Sequence, residues 1–310
     1  EEGVHSINFS PSGEFFIDSY SSSSEPNRIL LKSKDGAIIR LIRETDRSQY
    51  DAYDWSKSIY IKFPTHDGTT LLDGVIVLPV GYVKGKKYPM IVYNYGMPGS
   101  QIVKNQWGGI LNQFLAQEGF IILSLDSRGM GGRGEAFKNL SYGDISRYLS
   151  RDHIAGLDYM ISEWGVDKER VGAWGWSGGG YFTCLMLTKN GPHFKAGVSI
   201  APVTDFRLYD TIYTERFMGL PKDNAAGYDS TSVLSYIGNT KGNLLVMHGT
   251  GDDNVHSQNT TYLAEEFIKA GKELEVFYYP NRDHGINRGN SRLHLYTKMY
   301  DHFRKHLLGK

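Results

Sequence analysis

The stretch Gly175-Trp176-Ser177-Gly178-Gly179 decides the fold of this chain, because it joins an apolar strand pattern directly to a helical one. RVGAWGW precedes Ser177, and apolar residues at helical spacing follow over 179–190. Glycines around a serine allow the sharp strand-to-helix turn that exposes its hydroxyl, and the start of the helix offers free N–H groups to an anion. The pentapeptide alone is a weak signal. Its position between a strand and a helix makes Ser177 a candidate nucleophile.

Strands and helices alternate on both sides of this turn. Apolar runs of strand length are YPMIVYNY, FIILSLD, FKAGVSIAPV, NLLVMHGT and LEVFYYP, and helical patterns lie near 108–118, 150–164, 179–190, 256–271 and 291–308. Apolar strands separated by helices predict an α/β fold, with a mostly parallel sheet covered by helices on both faces. SIYIKF and LLDGVIVLPV flank an Asp-Gly turn and predict a hairpin. The segment 203–241 is predicted to be a helical insertion over the strand ends.

The first 50 residues follow a different pattern. SINFS, EFFIDSYS, RILLKS and AIIRLIR read as short strands between polar turns, with no helical pattern between them. We therefore expect a β-rich segment over 1–50 and an α/β domain over 51–310, with 51–57 as a linker or short helix. Because the chain opens on Glu1-Glu2, within what looks like a β-rich structure, we also expect it to be the C-terminal part of a longer protein.

Composition narrows the classes of function. Lys plus Arg and Asp plus Glu both number 34, so no basic field exists to attract nucleic acid. No apolar run approaches the roughly 18 residues of a membrane-spanning helix. The chain has neither an H-E-x-x-H motif nor a phosphate-binding loop, so we expect no metal and no cofactor. Its single cysteine, Cys184, lies in an apolar helical pattern and is predicted to be a buried structural thiol.

Two further strand ends carry the residues that a serine nucleophile needs. Asp252 and Asp253 follow the strand NLLVMHG, and His284 follows the strand LEVFYYP. Serine, acid and histidine then occur in the order typical of the α/β-hydrolase fold, each after a different strand. The histidine would remove the serine proton, and the carboxylate would fix the imidazole tautomer and stabilise its positive charge. Either Asp252 or Asp253 could be that acid on this evidence alone.

The other histidines are expected to be structural or surface residues. His248 ends an apolar strand and is predicted to be a hydrogen-bonded core residue. His256, His294, His302 and His306 lie in helical patterns, where we expect them to contact solvent or a helix neighbour.

Several longer segments resemble the prolyl oligopeptidase family, most closely its dipeptidyl peptidase IV branch. They are KYPMIVYNYGMPGSQ, DSRGMGGRG, GWGWSGGGY, APVTDFRLYDTIYTERFMGLP, HGTGDDNVHSQ and DHGI, between about Tyr88 and the C-terminus. The resemblance implies a serine peptidase that works through an acyl-enzyme and releases N-terminal dipeptides with proline or alanine second. A tripeptidyl peptidase, an acylaminoacyl peptidase and an esterase with the same triad remain alternatives. So does a non-catalytic binding or dimerisation module.

The resemblance also implies roles for single residues. It selects Asp252 over Asp253 as the acid, assigns the Tyr95 hydroxyl and the Gly178 N–H to the oxyanion hole, and makes Arg128 a structural residue near the site. Asn254 matches a side chain that binds a substrate carbonyl. The remaining matches form an apolar pocket for the residue before the cut, and they are Trp176, Val203, Phe206, Tyr209, Tyr213 and Val255.

The family pattern further implies parts that are not in this sequence. Residues 1–50 look like the end of a β-propeller, and the glutamate pair that binds a substrate's amino group in the family is absent here. A homodimer and a periplasmic or secreted bacterial location would fit the family. Two local departures stand out: Gly178 replaces a bulkier residue, and YGMPG replaces a more glycine-rich turn.

Overall fold

The computed structural model of the chain describes residues 1–310, with the side chain of Gln49 left aside. The strands are β1 (Val4–Phe9), β2 (Phe15–Ser21), β3 (Arg28–Ser33), β4 (Ile38–Glu44), β5 (Ser58–Pro64), β6 (Leu71–Val77), β7 (Tyr88–Tyr93), β8 (Ile121–Asp126), β9 (Val166–Trp176), β10 (Ala196–Ile200), β11 (Asn243–Gly249) and β12 (Glu275–Tyr279). The helices are α1 (Ile110–Gln117), α2 (Glu135–Lys138), α3 (Leu149–Glu163), α4 (Gly178–Thr188), α5 (Thr211–Met218), α6 (Ala225–Thr231), α7 (Gln258–Lys269) and α8 (Ser291–Phe303).

Eight strands form the main sheet, in the order β12-β11-β10-β9-β7-β8-β6-β5. Strands β7 to β12 pair in parallel, and the hairpin β5–β6 adds two antiparallel strands at one edge. Every residue of β8 and of β10 is buried, which agrees with their continuous apolar sequences. This topology confirms the predicted α/β-hydrolase fold.

Helices cover both faces of the sheet. The apolar residues of α3, α4 and α7 belong to one buried cluster, and those of α1 and α8 belong to a second. Neighbouring residues of β7 alternate between them, since Met90 and Val92 join the first cluster and Ile91 the second. Because α4 is buried along its whole length, the serine turn before it is fixed against the centre of the sheet.

The connections differ in detail from the sequence patterns. Residues 51–57 form turns and irregular backbone rather than a helix. The predicted helical insertion at 203–241 contains α5, α6 and two 3₁₀ segments, Phe206–Leu208 and Val233–Asn239. No described helix is both long and apolar enough to cross a membrane.

The N-terminal strands form a separate four-stranded antiparallel sheet, in the order β1-β2-β3-β4. A four-stranded antiparallel sheet is the repeating unit of β-propellers, and the sheet is compatible with a propeller end at 1–50. That assignment stays a prediction. The sheet contacts the α/β region near Trp107. The backbone N–H of Trp107 donates to the Ser21 hydroxyl, and its ring packs against Tyr50 and Trp55.

Candidate active site

Ser177 lies on a sharp turn between the central strand β9 and α4. Its backbone has φ 60° and ψ −119°, which a residue with a side chain adopts only at a cost of about 1–3 kcal/mol. Hydrogen bonds maintain this conformation, because the Ser177 N–H donates to the Ile200 carbonyl at 2.8 Å and its carbonyl accepts from the Tyr181 N–H at 2.9 Å. These bonds hold Ser177, the candidate nucleophile of the sequence, on a turn where it is half-buried.

The glycines of this turn allow its backbone to approach neighbouring backbone. A Cβ atom at position 179 would overlap with the carbonyl oxygen of Asn94, and one at position 180 would lie 2.7 Å from that of Ile200. Asn94 is itself buried, and its side-chain amide donates to the Trp174 carbonyl at 3.2 Å. The close contact ties the strand end of β7 to the serine turn.

The acid and the histidine meet at the ends of β11 and β12. The Nδ1 atom of His284 lies 2.7 Å from Oδ2 of Asp252, and the histidine side chain is 23% exposed. The other oxygen, Oδ1 of Asp252, accepts the backbone N–H groups of Asn254 and Val255 at 3.0 and 2.9 Å. An ionised carboxylate held by these N–H groups fixes Nδ1 as the protonated nitrogen of His284, and leaves Nε2 with its lone pair.

The surroundings of Asp252 favour its charged form. Burial would raise the pKa of this carboxyl, but hydrogen bonds from His248, His284 and the Val255 N–H outweigh burial and hold the pKa well below its usual range. Asp253, by contrast, is exposed. Of the two carboxylates that the residues alone left open, only Asp252 contacts the imidazole.

His248 is a second histidine next to the same carboxylate. It is fully buried, its Nδ1 lies 2.7 Å from the Thr260 hydroxyl, and its Nε2 lies 2.8 Å from the Val255 carbonyl and 3.3 Å from Asp252 Oδ2. Both ring nitrogens have polar partners and the ring is not exposed to solvent. His248 therefore supports the loop that carries Asp252 as a structural residue. This agrees with its prediction as a hydrogen-bonded core residue.

Strained backbone is concentrated in the loops that surround these residues. Non-glycine residues with positive φ, among those described, all lie in loops that follow parallel strands, and they are Ser177, Ala201, Asn281, Ile286 and Arg288. Such conformations cluster at functional sites, where the surrounding structure imposes them. Three of the five lie in the loop that carries His284.

Trp176 and Arg292 hold the loop of His284. The indole N–H of Trp176 donates to the His284 carbonyl at 2.9 Å, and the Arg292 guanidinium lies 4.5 Å above the Trp176 ring. Arg292 also donates to the Gly285 carbonyl at 2.6 Å and to Oδ1 of Asn287 at 2.7 Å. These contacts fix the backbone at His284 and directly after it.

Tyr95 and Gly178 lie next to the serine. Burial raises the pKa of the Tyr95 phenol, and hydrogen bonding with the Ser177 hydroxyl acts in the opposite direction. Gly178 is the first residue of α4, where a backbone N–H has no partner within the helix. A phenol that stays protonated and a free N–H are two donors suited to a developing oxyanion.

Five of the six predicted pocket residues lie, together with Tyr95, in the packed core on one face of the main sheet, and the sixth lies outside it. Tyr95, Val203, Phe206, Tyr209, Tyr213 and Val255 belong to the same cluster of packed side chains. Within it Tyr209 and Tyr213 are half-buried and their rings meet edge to face at 6.0 Å. Trp176 packs instead in the second cluster, on the other side of the sheet. Its visible contacts are with the histidine loop.

Two polar residues border this cluster. The Tyr209 hydroxyl donates to Oδ1 of Asn254 at 3.3 Å, and Asn254 is exposed. Arg128 is buried, and it donates to Asp152 at 2.7 Å and to Asp67 at 2.7 Å. It thus links the loop after β8 to α3 and to the β5–β6 turn, which is a structural arrangement.

Cys184 and His302 are buried titratable side chains outside the proposed triad. Cys184 is buried, and burial raises the pKa of its thiol to about 12. His302 contacts a helix neighbour as predicted, since its ring lies 4.6 Å from that of His306, but its side chain is buried because α8 packs against β11, and its Nε2 lies 3.2 Å from the Asn243 carbonyl. Among the described side chains, no group of three or more His, Cys, Asp or Glu residues could hold a metal ion.

Sequence reasoning missed Asn94 and Arg292. The available signal for Asn94 was a polar amide directly after the apolar run YPMIVY. The structure buries this amide, and a buried polar group is costly unless it is hydrogen-bonded. Arg292 gave no signal, because its partners Trp176 and Gly285 are distant in sequence.

Comparisons with known proteins place this arrangement in a family. The profile of the prolyl oligopeptidase family matches residues 110–310. Similar curated proteins are a probable dipeptidyl-aminopeptidase B of Botryotinia fuckeliana, 35% identical over 96% of this chain and 33% of that protein, and prolyl endopeptidase FAP of Mus musculus, 37% identical over 74% of this chain and 31% of that protein. The chain thus spans about a third of the length of these relatives.

Solved structures agree. Dipeptidyl peptidase 4 of Porphyromonas gingivalis superposes with a TM-score of 0.94 at 34% identity, over 98% of this chain and 44% of that one. A putative dipeptidyl aminopeptidase IV of Bacteroides ovatus gives 0.91 at 31% identity, over 99% and 44% of the two chains. The chain belongs to the prolyl oligopeptidase family of serine peptidases.

Proposed function

We propose that this chain is the catalytic domain of a serine exopeptidase that releases N-terminal Xaa-Pro or Xaa-Ala dipeptides, with Ser177 as nucleophile, His284 as base and Asp252 as the acid. One observation carries the proposal. The His284–Asp252 pair, at 2.7 Å, stands at the same sheet edge as a serine held at φ 60° on a strand-to-helix turn. Activated serine nucleophiles need this combination of an exposed hydroxyl and an oriented imidazole.

Each residue has a step in the proposed mechanism. Nε2 of His284 takes the proton of Ser177 as the serine oxygen attacks the substrate carbonyl, and Asp252 stabilises the imidazolium that forms. The Tyr95 hydroxyl and the Gly178 N–H donate to the oxyanion. His284 then protonates the leaving amine and leaves an acyl group on Ser177. Water, deprotonated by the same imidazole, releases the acid and restores the serine.

The substrate class rests on the pocket beside the serine and on the named relatives. Tyr209 and Tyr213 present aromatic surfaces next to Tyr95, and apolar side chains pack behind them. A compact ring such as proline, or a small methyl, suits such walls because flat aromatic faces bury apolar surface efficiently. The Asn254 amide at the rim can donate to a peptide carbonyl.

Intact-mass labelling with a fluorophosphonate tests the nucleophile. We expect one adduct on the parent chain and none on Ser177→Ala. His284→Ala should label at least about a thousandfold more slowly, as loss of a triad member typically costs that much or more. A folded parent without an adduct, or an adduct that survives Ser177→Ala, would refute the assignment.

Specificity requires a second measurement on the full-length protein. Chromogenic Xaa-Pro and Xaa-Ala substrates are compared with Xaa-Xaa-Pro and with acetylated peptides. Preferential cleavage of the first pair supports the dipeptidyl assignment. Preference for either of the others would replace it while the proposed serine chemistry stands.

A further inference from the structure

The side chain of Met97 lies where a side chain at position 178 would lie, directly beside the nucleophile. A Cβ atom at position 178 would overlap with Cγ of Met97 and lie 2.7 Å from its Sδ. Both residues are buried, with Met97 only 6% exposed. The Met97 side chain therefore fills the position that a side chain at 178 would take.

Gly178 differs in this respect from the other glycines of the turn. Side chains at Gly175, Gly179 and Gly180 would strike backbone atoms of other segments, which cannot move without breaking the fold. Gly178 does not have the positive φ that favours glycine, and its nearest neighbours are all atoms of the Met97 side chain. An added Cβ there therefore meets the Met97 side chain before it meets any backbone atom of another segment.

The location of Met97 connects this pair to the proposed substrate pocket. Met97 lies two residues after Tyr95 and directly before Pro98, whose carbonyl accepts from the Tyr213 hydroxyl at 3.5 Å. Tyr95, Met97 and Tyr213 belong to one cluster of packed side chains. A change in the volume at Met97 or at Gly178 therefore acts beside Ser177 and on the segment 95–98, which carries Tyr95 and accepts the hydrogen bond of Tyr213.

We propose that Met97 and Gly178 form a size-matched pair that sets the room for the acyl group of the substrate next to Ser177. The inference rests on the proposed function, since it takes Ser177 as the nucleophile. A side chain added at 178 displaces the thioether of Met97 toward Tyr95 and Tyr213 and reduces that room. Shortening Met97 enlarges the room, and the two changes together compensate.

Small esters test the pair, because an acyl group of defined size enters the site without recognition of a peptide N-terminus. Hydrolysis of p-nitrophenyl acetate and butyrate is measured for the parent, Met97→Ala, Gly178→Ala and the double variant. We expect Gly178→Ala to lower butyrate turnover roughly tenfold or more, since overpacking is costly in a dense core. Met97→Ala should raise the butyrate-to-acetate ratio about fivefold, and the double variant should return to within about threefold of the parent.

Additive effects, with a double variant as impaired as the product of the two single changes, would overturn the inference. Thermal unfolding of the same four proteins tests the packing independently: Gly178→Ala should lower the melting temperature, and Met97→Ala should recover part of the loss. Independent melting effects would refute the pair even in a protein that hydrolyses neither ester. Failure of the parent to take up a fluorophosphonate, with coupled melting temperatures, would reject the proposed function and the role in acyl selection but retain the packing pair.

Discussion

The turn that carries Ser177 and the loop that carries His284 are positioned in different ways. Around Ser177, backbone packs on backbone: Gly179 lies against the Asn94 carbonyl, and the Ser177 N–H donates to a neighbouring strand. Around His284, backbone contact is limited to the start of the loop, where Gly249 lies against the Arg282 carbonyl, and Trp176 and Arg292 donate to the carbonyls of His284 and Gly285. The proposed nucleophile is thus fixed by backbone packing, whereas the loop of the proposed base also depends on long side chains from His284 onward.

This difference has a consequence for mutation. Backbone contacts tolerate no added atoms, because neither partner can turn away as a side chain can. Side-chain contacts can be weakened one at a time, while the loop keeps its other bonds. We therefore expect abrupt losses of activity from small changes at the serine turn and graded losses from changes around the histidine loop.

The largest effect is expected from Gly179→Ala. The added methyl group would overlap with the Asn94 carbonyl and lie 3.2 Å from Cα of Tyr95, so the turn must shift. We expect the rate of fluorophosphonate labelling to fall about a hundredfold or more, as displacement of the reacting groups by an ångström can cost that much. Gly238→Ala is the matched control, because a Cβ there meets no atom within 4 Å and its φ is ordinary. Labelling of Gly179→Ala within tenfold of the control would break the comparison.

An intermediate effect is expected from Arg292→Ala. This change removes the bonds to Gly285 and Asn287 and the stacking on Trp176, but leaves the His284–Asp252 contact. We expect labelling to slow by roughly ten- to a hundredfold with little change in melting temperature, since about two hydrogen bonds of a charged group are lost at the loop.

Added guanidinium ion at millimolar concentration should restore part of this labelling rate by occupying the vacated position. Lys298→Ala, on the same helix but paired with Glu275 on the surface, is the control. If Arg292→Ala labels as fast as the parent, or if both variants lose the same fraction of the labelling rate, then Arg292 does not position the loop.

The smallest effect concerns acid stability, which limits the pH range in which the two loops can be compared. Burial lowers the pKa of His153 and of His302 to about 4 in the folded protein. The unfolded chain, with histidines near 6.5, then binds more protons between these values, so stability is complete above about pH 6.5 and declines as pH falls toward 4. Each histidine contributes up to about 3 kcal/mol to this decline.

Urea unfolding at pH 7.5 and pH 5 measures this decline. His153→Leu should reduce the difference in unfolding free energy between the two pH values, and the exposed His66→Asn should not. An unchanged difference in His153→Leu would show that His153 is not the source of the acid sensitivity. Loss of activity in acid counts as a property of the histidine loop only where the protein stays folded.

Local patterns were sufficient for the elements and their order. The apolar runs before Ser177, Asp252 and His284 predicted the strands that carry them, because hydrophobic periodicity is a short-range property of the sequence. The sequence patterns predicted the fold class but not which strands pair with each other. The position of β7 between β9 and β8 depends on contacts between distant segments.

The sequence by itself determined which chemical groups this protein offers and which strand each one follows. A serine between glycines at the end of a strand can be recognised from neighbouring residues alone. Tertiary structure decided which of those groups meet. It brought Asp252, rather than Asp253, to His284, placed Trp176 with the histidine loop rather than with Tyr209, and set Met97 against Gly178. These choices depend on the packing of residues far apart in the chain, and side-chain volume and hydrogen-bond geometry take effect only once the sheet has formed.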